Sequence, residues 1–289
     1  MRRAIKAALM SVGLSGCSAL DVLDTIVPAG GTVAATDLAY GTGPRQQLDV
    51  YRPVAPAARP APVLVFFYGG NWQTGARRHY RFVAQALAAR GIVTVVPDYR
   101  LYPETRYPGF VEDGAAAVAW TAANIARFGG DPRRIVVAGH SAGAHTALML
   151  ALNPAFGVAR GTLAGAVGLA GPYAFEPTGE TRDILAVDRG GPSAMPIDYA
   201  DGTAVPVLLI TGDADTTVYP SNSERLAARI RARGGRADLV VYPGVGHIKI
   251  VAALASPLAW LAPVRRDVVD FVAMLSGRAA EPLATSAAE

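Results

Sequence analysis

Apolar runs alternating with helical patterns constrain this chain more than anything else in it. Runs suited to buried strands recur at Val63–Tyr68 (VLVFFY), Ile92–Pro97 (IVTVVP), Ile135–Gly139 (IVVAG), Ala164–Ala170 (AGAVGLA), Val207–Gly212 (VLLITG) and Ala237–Tyr242 (ADLVVY). Helical patterns fill most of the gaps, over Tyr80–Arg90, Phe110–Phe128, Ala142–Leu152 and Ser221–Gly234, with a last one near Val264–Leu275. The runs are continuous, so each strand must be covered on both faces. That requires parallel pairing with helices above and below the sheet. Leu48–Tyr51 (LDVY), just before Pro53, reads as the start of an antiparallel portion at the edge. The expectation is one doubly wound α/β domain over residues 38–276, with ligands beyond the carboxyl ends of its strands.

An apolar fraction of 51% with 17% charged residues allows a large core. The ends of the chain read differently. Residues 1–16 have a basic start (Arg2, Arg3, Lys6), a short apolar stretch and small residues, the layout of a secretory signal. Leu14-Ser15-Gly16-Cys17 resembles the bacterial lipobox, whose cysteine becomes the lipid-modified first residue of the mature protein. An ordinary signal peptide with an incidental cysteine is the alternative. Cys17 is the single cysteine, so no disulfide can form within the chain. Ser18 after it goes, in such lipoproteins, with outer-membrane sorting. The expectation is therefore export and attachment to the bacterial cell envelope through lipidated Cys17. Residues 17–37 read as a tether and 277–289 as a disordered tail. Losing residues 1–16 removes three basic side chains and takes the formal charge from +4 to +1. No basic footprint for nucleic acid remains.

Gly139-His140-Ser141-Ala142-Gly143 is a G-x-S-x-G motif lying where a strand becomes a helix. A sharp turn there projects the serine hydroxyl above the sheet. The residues two before and two after must be small, because the strand and helix backbones nearly touch. A glycine-rich turn closing a βα unit without chemistry is the alternative. Serine needs a base to act as a nucleophile, and the chain has four histidines. His140 lies inside the turn, with its side chain expected to point away from that of Ser141. His145 reads as a packing or surface residue one helical turn later, and His79 comes too early in the chain. His247, in YPGVGHIKI after the last strand, is the expected base, on a loop.

A histidine base needs a carboxylate to fix its tautomer. GDADTTV offers Asp215, favoured by a G-x-x-D-x-x-V spacing from Gly212 to Val218, with Asp213 as the alternative. Glu112 and Asp113 read as helix-capping or packing acids. FFYGGNWQTG follows the third strand, where Gly70, Asn71 and Ala142 are the expected N–H donors of an oxyanion hole, against the alternative of a simple glycine turn. Trp72, Tyr102 and Phe175 are candidate walls of the substrate pocket, or else ordinary packing.

The chain here resembles the α/β-hydrolase serine esterases near the hormone-sensitive-lipase-like and feruloyl-esterase/arylformamidase-like groups, over about residues 38–275. The resemblance rests on YGGNW, VVPDYRLYPETRYPGFVEDGAAAVAW, FGGDPRRIVVAGHSAG, GDADTTV and GVGH, in that order. It implies an α/β-hydrolase fold with a mostly parallel sheet and the chain order Ser141, Asp215, His247. It also implies hydrolysis of small carboxylic esters through an acyl-enzyme, with no metal or organic cofactor. Two departures stand out: Tyr68 replaces the histidine of the oxyanion motif, and little precedes the first strand, so a cap must come from Gly171–Pro206. An arylformamidase-like amidase and a non-catalytic binding lipoprotein are the competing readings.

Overall fold

The computed structural model describes residues 32–55, 59–159, 161–202 and 205–277. The stretches expected to be the signal, the lipid-attachment site at Cys17, most of the tether and the tail from 278 onward lie outside these residues. The strands are β1 (Thr32–Ala39), β2 (Gln47–Pro53), β3 (Ala61–Phe67), β4 (Val93–Pro97), β5 (Gly130–His140), β6 (Leu163–Leu169), β7 (Val207–Gly212) and β8 (Ala237–Tyr242). The α-helices are α1 (Arg81–Ala88), α2 (Gly109–Asn124), α3 (Ala142–Leu152), α4 (Glu180–Ile184), α5 (Ser221–Ala232), α6 (His247–Ala252) and α7 (Val264–Leu275).

The strands form an eight-stranded sheet in the order β1-β2-β4-β3-β5-β6-β7-β8. β1 to β2 and β2 to β4 are antiparallel, and every later pairing is parallel. β3 and β4 are buried along their whole length, as strands covered on both faces must be. β6 shows how the two helical layers reach the sheet. A Cβ on Gly165 would meet Leu275 and Phe271 of α7, whereas one on Gly168 would meet Leu148 of α3. An odd offset along a strand points to opposite faces, so α3 and α7 cover opposite sides. This is the mostly parallel α/β-hydrolase architecture expected from the sequence.

The differences lie at the edges. β1 begins at Thr32, inside the stretch read as tether. Its residues are half-buried or exposed and carry no apolar run, so only pairing with β2 makes them a strand. The pairing is irregular between Ala35 and Leu38, where Asp37 has φ 57° and its N–H donates to Asp49 Oδ1 at 3.0 Å. Asp113 on α2 is buried and holds Arg100 through Nε and Nη2, so its role is packing. Among the described residues between β6 and β7, the cap holds only α4 and 3₁₀ turns at Val187–Arg189 and Pro196–Tyr199. The cap is pinned at its start and near its middle. Asn222 Oδ1 accepts from the N–H groups of Tyr173 and Ala174, and Arg106 holds Asp183 through Nε and Nη2 at 2.9 and 2.8 Å.

His145 joins this cap to α3. It is fully buried, its Nε2–H donates to the Ala194 carbonyl at 2.6 Å, and its ring meets Trp72 edge-on at 5.2 Å. Burial pushes its pKa down to about 4. The unfolded chain takes up the proton near the ordinary histidine value of about 6.5, so stability is lost as pH falls from there toward the folded value, at about 1.4 kcal/mol per pH unit. Denaturant midpoints measured from pH 7 to pH 4.5 should therefore fall less steeply for His145→Gln than for the wild type. Equal slopes would remove His145 from the acid sensitivity of the fold.

Candidate active site

Ser141 sits between β5 and α3 at φ 54°, ψ −123°, a region that costs a non-glycine residue about 1–3 kcal/mol. The surroundings hold it there. Its N–H donates to the Leu169 carbonyl of β6 at 2.9 Å, while its own carbonyl accepts from Ala144 and His145 at 2.9 and 3.1 Å. A Cβ on Gly139 would lie 2.3 Å from the Gly143 carbonyl carbon, and one on Gly143 would lie 2.1 Å from the Phe67 carbonyl oxygen. Neither position has room for a side chain, and the required smallness of both flanks is a backbone contact.

His247 is the first residue of α6 rather than a loop residue. Its Nδ1 lies 2.7 Å from Asp215 Oδ2. A carboxylate only accepts, so the ring proton sits on Nδ1 and Nε2 keeps its lone pair. Asp215 has a fully buried side chain, and its Oδ1 accepts from the N–H groups of Thr217 and Val218, both at 2.9 Å. Asp213 does something else. It is exposed, and its Oδ1 accepts from the Gly244 N–H at 2.6 Å, tying down the loop that carries His247.

Ser141, His247, Gly70, Asn71 and Ala142 line one cavity of about 780 Å³, within the usual range for a small-ligand site. Sheet order explains the convergence. β3 lies beside β5 with Phe67 opposite Gly139, so the glycine loop after β3 runs alongside the serine. Asn71 and Trp72 both have positive φ, 54° and 57°. Among the described residues the N–H groups of Gly70, Asn71 and Ala142 bond no acceptor. Trp72 and Phe175 line the cavity, with Trp72 largely buried against Phe110.

Tyr102 is not among the wall residues. Its hydroxyl donates to Asp183 at 2.8 Å under the Arg106 guanidinium, so the expected pocket role gives way to pinning the cap. Phe175 shares the cap wall with Pro172, Glu176 and Thr181. Among the described residues no group of three or more His, Cys, Asp or Glu side chains could hold a metal ion, and no helix is long and apolar enough to cross a membrane.

Tyr68, the departure from the family motif, anchors the glycine loop from below. Its hydroxyl donates to Asp98 Oδ1 at 2.9 Å and accepts from Arg45 Nη2 at 2.7 Å. The same Nη2 donates to the Gly75 carbonyl at 2.9 Å, and the Tyr68 ring stacks on Tyr99 at 4.6 Å. Burial keeps the Tyr68 hydroxyl well above its ordinary pKa, so it stays a donor. His140 reaches the residue that carries the expected base: its Nε2–H donates to the His247 carbonyl at 3.2 Å, and its ring lies 4.7 Å from that of His247. No sequence signal gave this contact, because it joins the ends of β5 and β8.

Comparisons with known proteins bear on the family and the fold. The family described as BD-FAE matches residues 48–159, and the one described as the prolyl oligopeptidase family matches residues 111–267. Esterase LipC of Mycobacterium tuberculosis is 34% identical over 236 residues, which cover 72% of this chain and 58% of the relative. A rice protein (Oryza sativa subsp. japonica) named as a probable isoprenylcysteine α-carbonyl methylesterase is 31% identical, over 72% of this chain and 55% of its own. The chain thus spans little more than half the length of these relatives. A solved esterase of Thermogutta terrifontis with propionate bound has a TM-score of 0.69 at 23% identity, covering 88% of this chain and 97% of that one. That likeness establishes the shared fold.

The contacts at the elbow predict a sharp contrast among glycines. Gly143→Ala should cost several kcal/mol or prevent folding, since a Cβ would overlap β3 backbone that cannot move away. Gly191→Ala, where nothing lies within 4 Å, should change stability by no more than about 0.5 kcal/mol. Thermal melts of both variants measure the contrast, and similar melting points would contradict the close backbone approach.

Proposed function

The chain belongs to the prolyl oligopeptidase family and has the α/β-hydrolase fold, and from that premise we propose that it is a serine carboxylesterase acting on short-chain carboxylic esters through an acyl-enzyme on Ser141. The observation that carries this reading is a serine held at strained backbone angles in the same cavity as a histidine whose Nδ1 is bonded to a buried carboxylate. The names of the curated relatives, an esterase and a methylesterase, favour ester substrates.

In the reaction His247 Nε2 takes the hydroxyl proton as Ser141 Oγ attacks the ester carbonyl. Asp215 stabilises the imidazolium that forms. The N–H groups of Gly70, Asn71 and Ala142 receive the developing oxyanion. His247 then gives the proton to the departing alkoxide, leaving the acyl group on Ser141. Water repeats the sequence, deprotonated by His247, and releases the acid. This transfer requires His247 in its neutral form, since only a bare Nε2 can accept the proton. His140 and His145 add no step there, since burial holds both uncharged.

Ser141→Ala should lower kcat by about 10⁴–10⁶ with the fold intact. Asp215→Asn should cost about 10⁴, and Asp213→Asn far less, because Asp213 only ties down Gly244. Steady-state kinetics on aryl acetates tests the set, together with fluorophosphonate labelling of Ser141. An Asp213 variant worse than the Asp215 variant would reassign the acid. Faster turnover of N-formyl arylamines than of aryl acetates would make the protein an amidase.

The pinned cap and its few elements favour short acyl groups, consistent with a neighbour of the same fold that holds propionate. Each buried CH₂ adds about 0.8 kcal/mol until the chain leaves the wall. The specificity constant should peak at roughly two to four acyl carbons, without a rate jump above the substrate's solubility limit. A preference for chains of about ten carbons or more would mean that the cap opens as a lipase lid.

The N-terminal sequence supports an envelope location for this chemistry, with lipidated Cys17 as the anchor. Mass spectrometry of the purified protein should find acyl chains on an N-terminal Cys17, and Cys17→Ser should release the protein from membranes while leaving turnover unchanged. A soluble product beginning at Ser18 or later would end the anchor idea.

A further inference from the structure

His140 takes no part in the proton transfers above, yet it lies at the centre of the site. The residue is 2% exposed and is bonded covalently to the nucleophile Ser141. Its Nε2 contact is a main-chain carbonyl, which only accepts, so the ring proton must be on Nε2 and Nδ1 must be bare. Nδ1 is buried and bonds nothing among the described residues. It faces the glycine loop: a Cβ on Gly69 would lie 3.0 Å from it. One edge of the ring therefore abuts the loop that carries Gly70 and Asn71, and the other edge bonds the residue that carries the base.

The base depends on that support. His247 opens a helix of six residues, behind a loop with Gly244 at φ 68°. Asp215 orients the imidazole and Asp213 holds Gly244, but neither bond reaches the main chain of His247 itself. The bond from His140 does. Burial and the neighbouring His247 hold the His140 pKa well below the ordinary histidine range. A neutral ring is what the site needs, because a second cation 4.7 Å away would oppose the imidazolium formed during turnover.

We infer that His140 is a positioning residue: as the neutral Nε2–H tautomer it fixes the main chain of His247 and the underside of the glycine loop to the nucleophile at once. This rests on the reading of Ser141 as nucleophile and His247 as base. It deepens that reading by assigning a task to the variable position of the G-x-S-x-G turn.

The test compares His140→Leu, His140→Gln and His140→Asn. Leucine fills the space without a donor. Glutamine carries an N–H at about the reach of Nε2, and asparagine is too short to meet the carbonyl. His140→Leu should lower kcat about 10–100-fold with KM changed by less than about threefold, the pattern of a displaced catalytic group. His140→Gln should recover most of the loss and His140→Asn should not. Rates of Ser141 labelling by a fluorophosphonate should follow the same ranking.

A kcat for His140→Leu within about twofold of wild type, a loss confined to KM, or a glutamine variant no faster than the asparagine one would overturn the inference. If His140→Leu does not fold, the glutamine and asparagine pair still decides. If the wild type labels but hydrolyses no ester, the esterase reading fails, and the labelling ranking continues to test His140.

Discussion

The approach of β5 to α3 at Ser141 is the contact on which the rest of the site depends. Gly139 and Gly143 let the two backbones come within reach of each other and of Phe67 on β3. The serine between them is forced to φ 54° and held there by the Leu169 carbonyl of β6. Three adjacent strands thus take part in one turn. Strain of this kind persists only where surrounding structure over-determines it, and here the parallel ladder supplies that determination.

Everything else in the cavity is positioned from strand ends beside that turn. The glycine loop after β3 is fastened from below by Tyr68, Asp98 and Arg45. A buried tyrosine in place of the family's histidine keeps a donor toward Asp98 and adds an aromatic stack on Tyr99. The proposed acid, Asp215, comes from the end of β7 and the proposed base, His247, from beyond β8, neighbours in the sheet with Gly212 opposite Tyr242. The two aspartates of GDADTTV divide their work on this side. Asp215 meets the ring of His247 and Asp213 meets the loop behind it, so acids two positions apart act on one histidine in different ways.

The cap follows a different principle. It has little regular structure of its own and is fixed by polar contacts to its surroundings. Asp183, drawn down to about 2 by Arg106 and Tyr102, meets a guanidinium and a phenol on one side, and Asn222 holds the chain at the other. Gln73 reaches Glu180 at 2.8 Å and joins the glycine loop to α4. Cavity walls made this way come from residues far apart in sequence, which is why Tyr102 could be mistaken for one of them.

Much of this was legible in the order of residues. Buried parallel strands must be continuous apolar runs, so β3 to β7 announced themselves, while β8, an apolar run of the same kind, lies half-buried at the sheet edge; the G-x-S-x-G turn followed from the lack of room for a Cβ. The spacing from Gly212 singled out Asp215 because a loop closed by Val218 lets two N–H groups reach one carboxylate oxygen. β1 was not legible, since a polar edge strand has no pattern apart from its partner. Nor were the contacts of His140 and Tyr102, or the helical start at His247. The sequence alone determined which side chains could do chemistry and at which strand ends they would lie, because periodicity and backbone sterics are local. Tertiary structure alone decided which of them meet, because a 2.7 Å contact between residues 32 apart depends on the order of strands in the sheet.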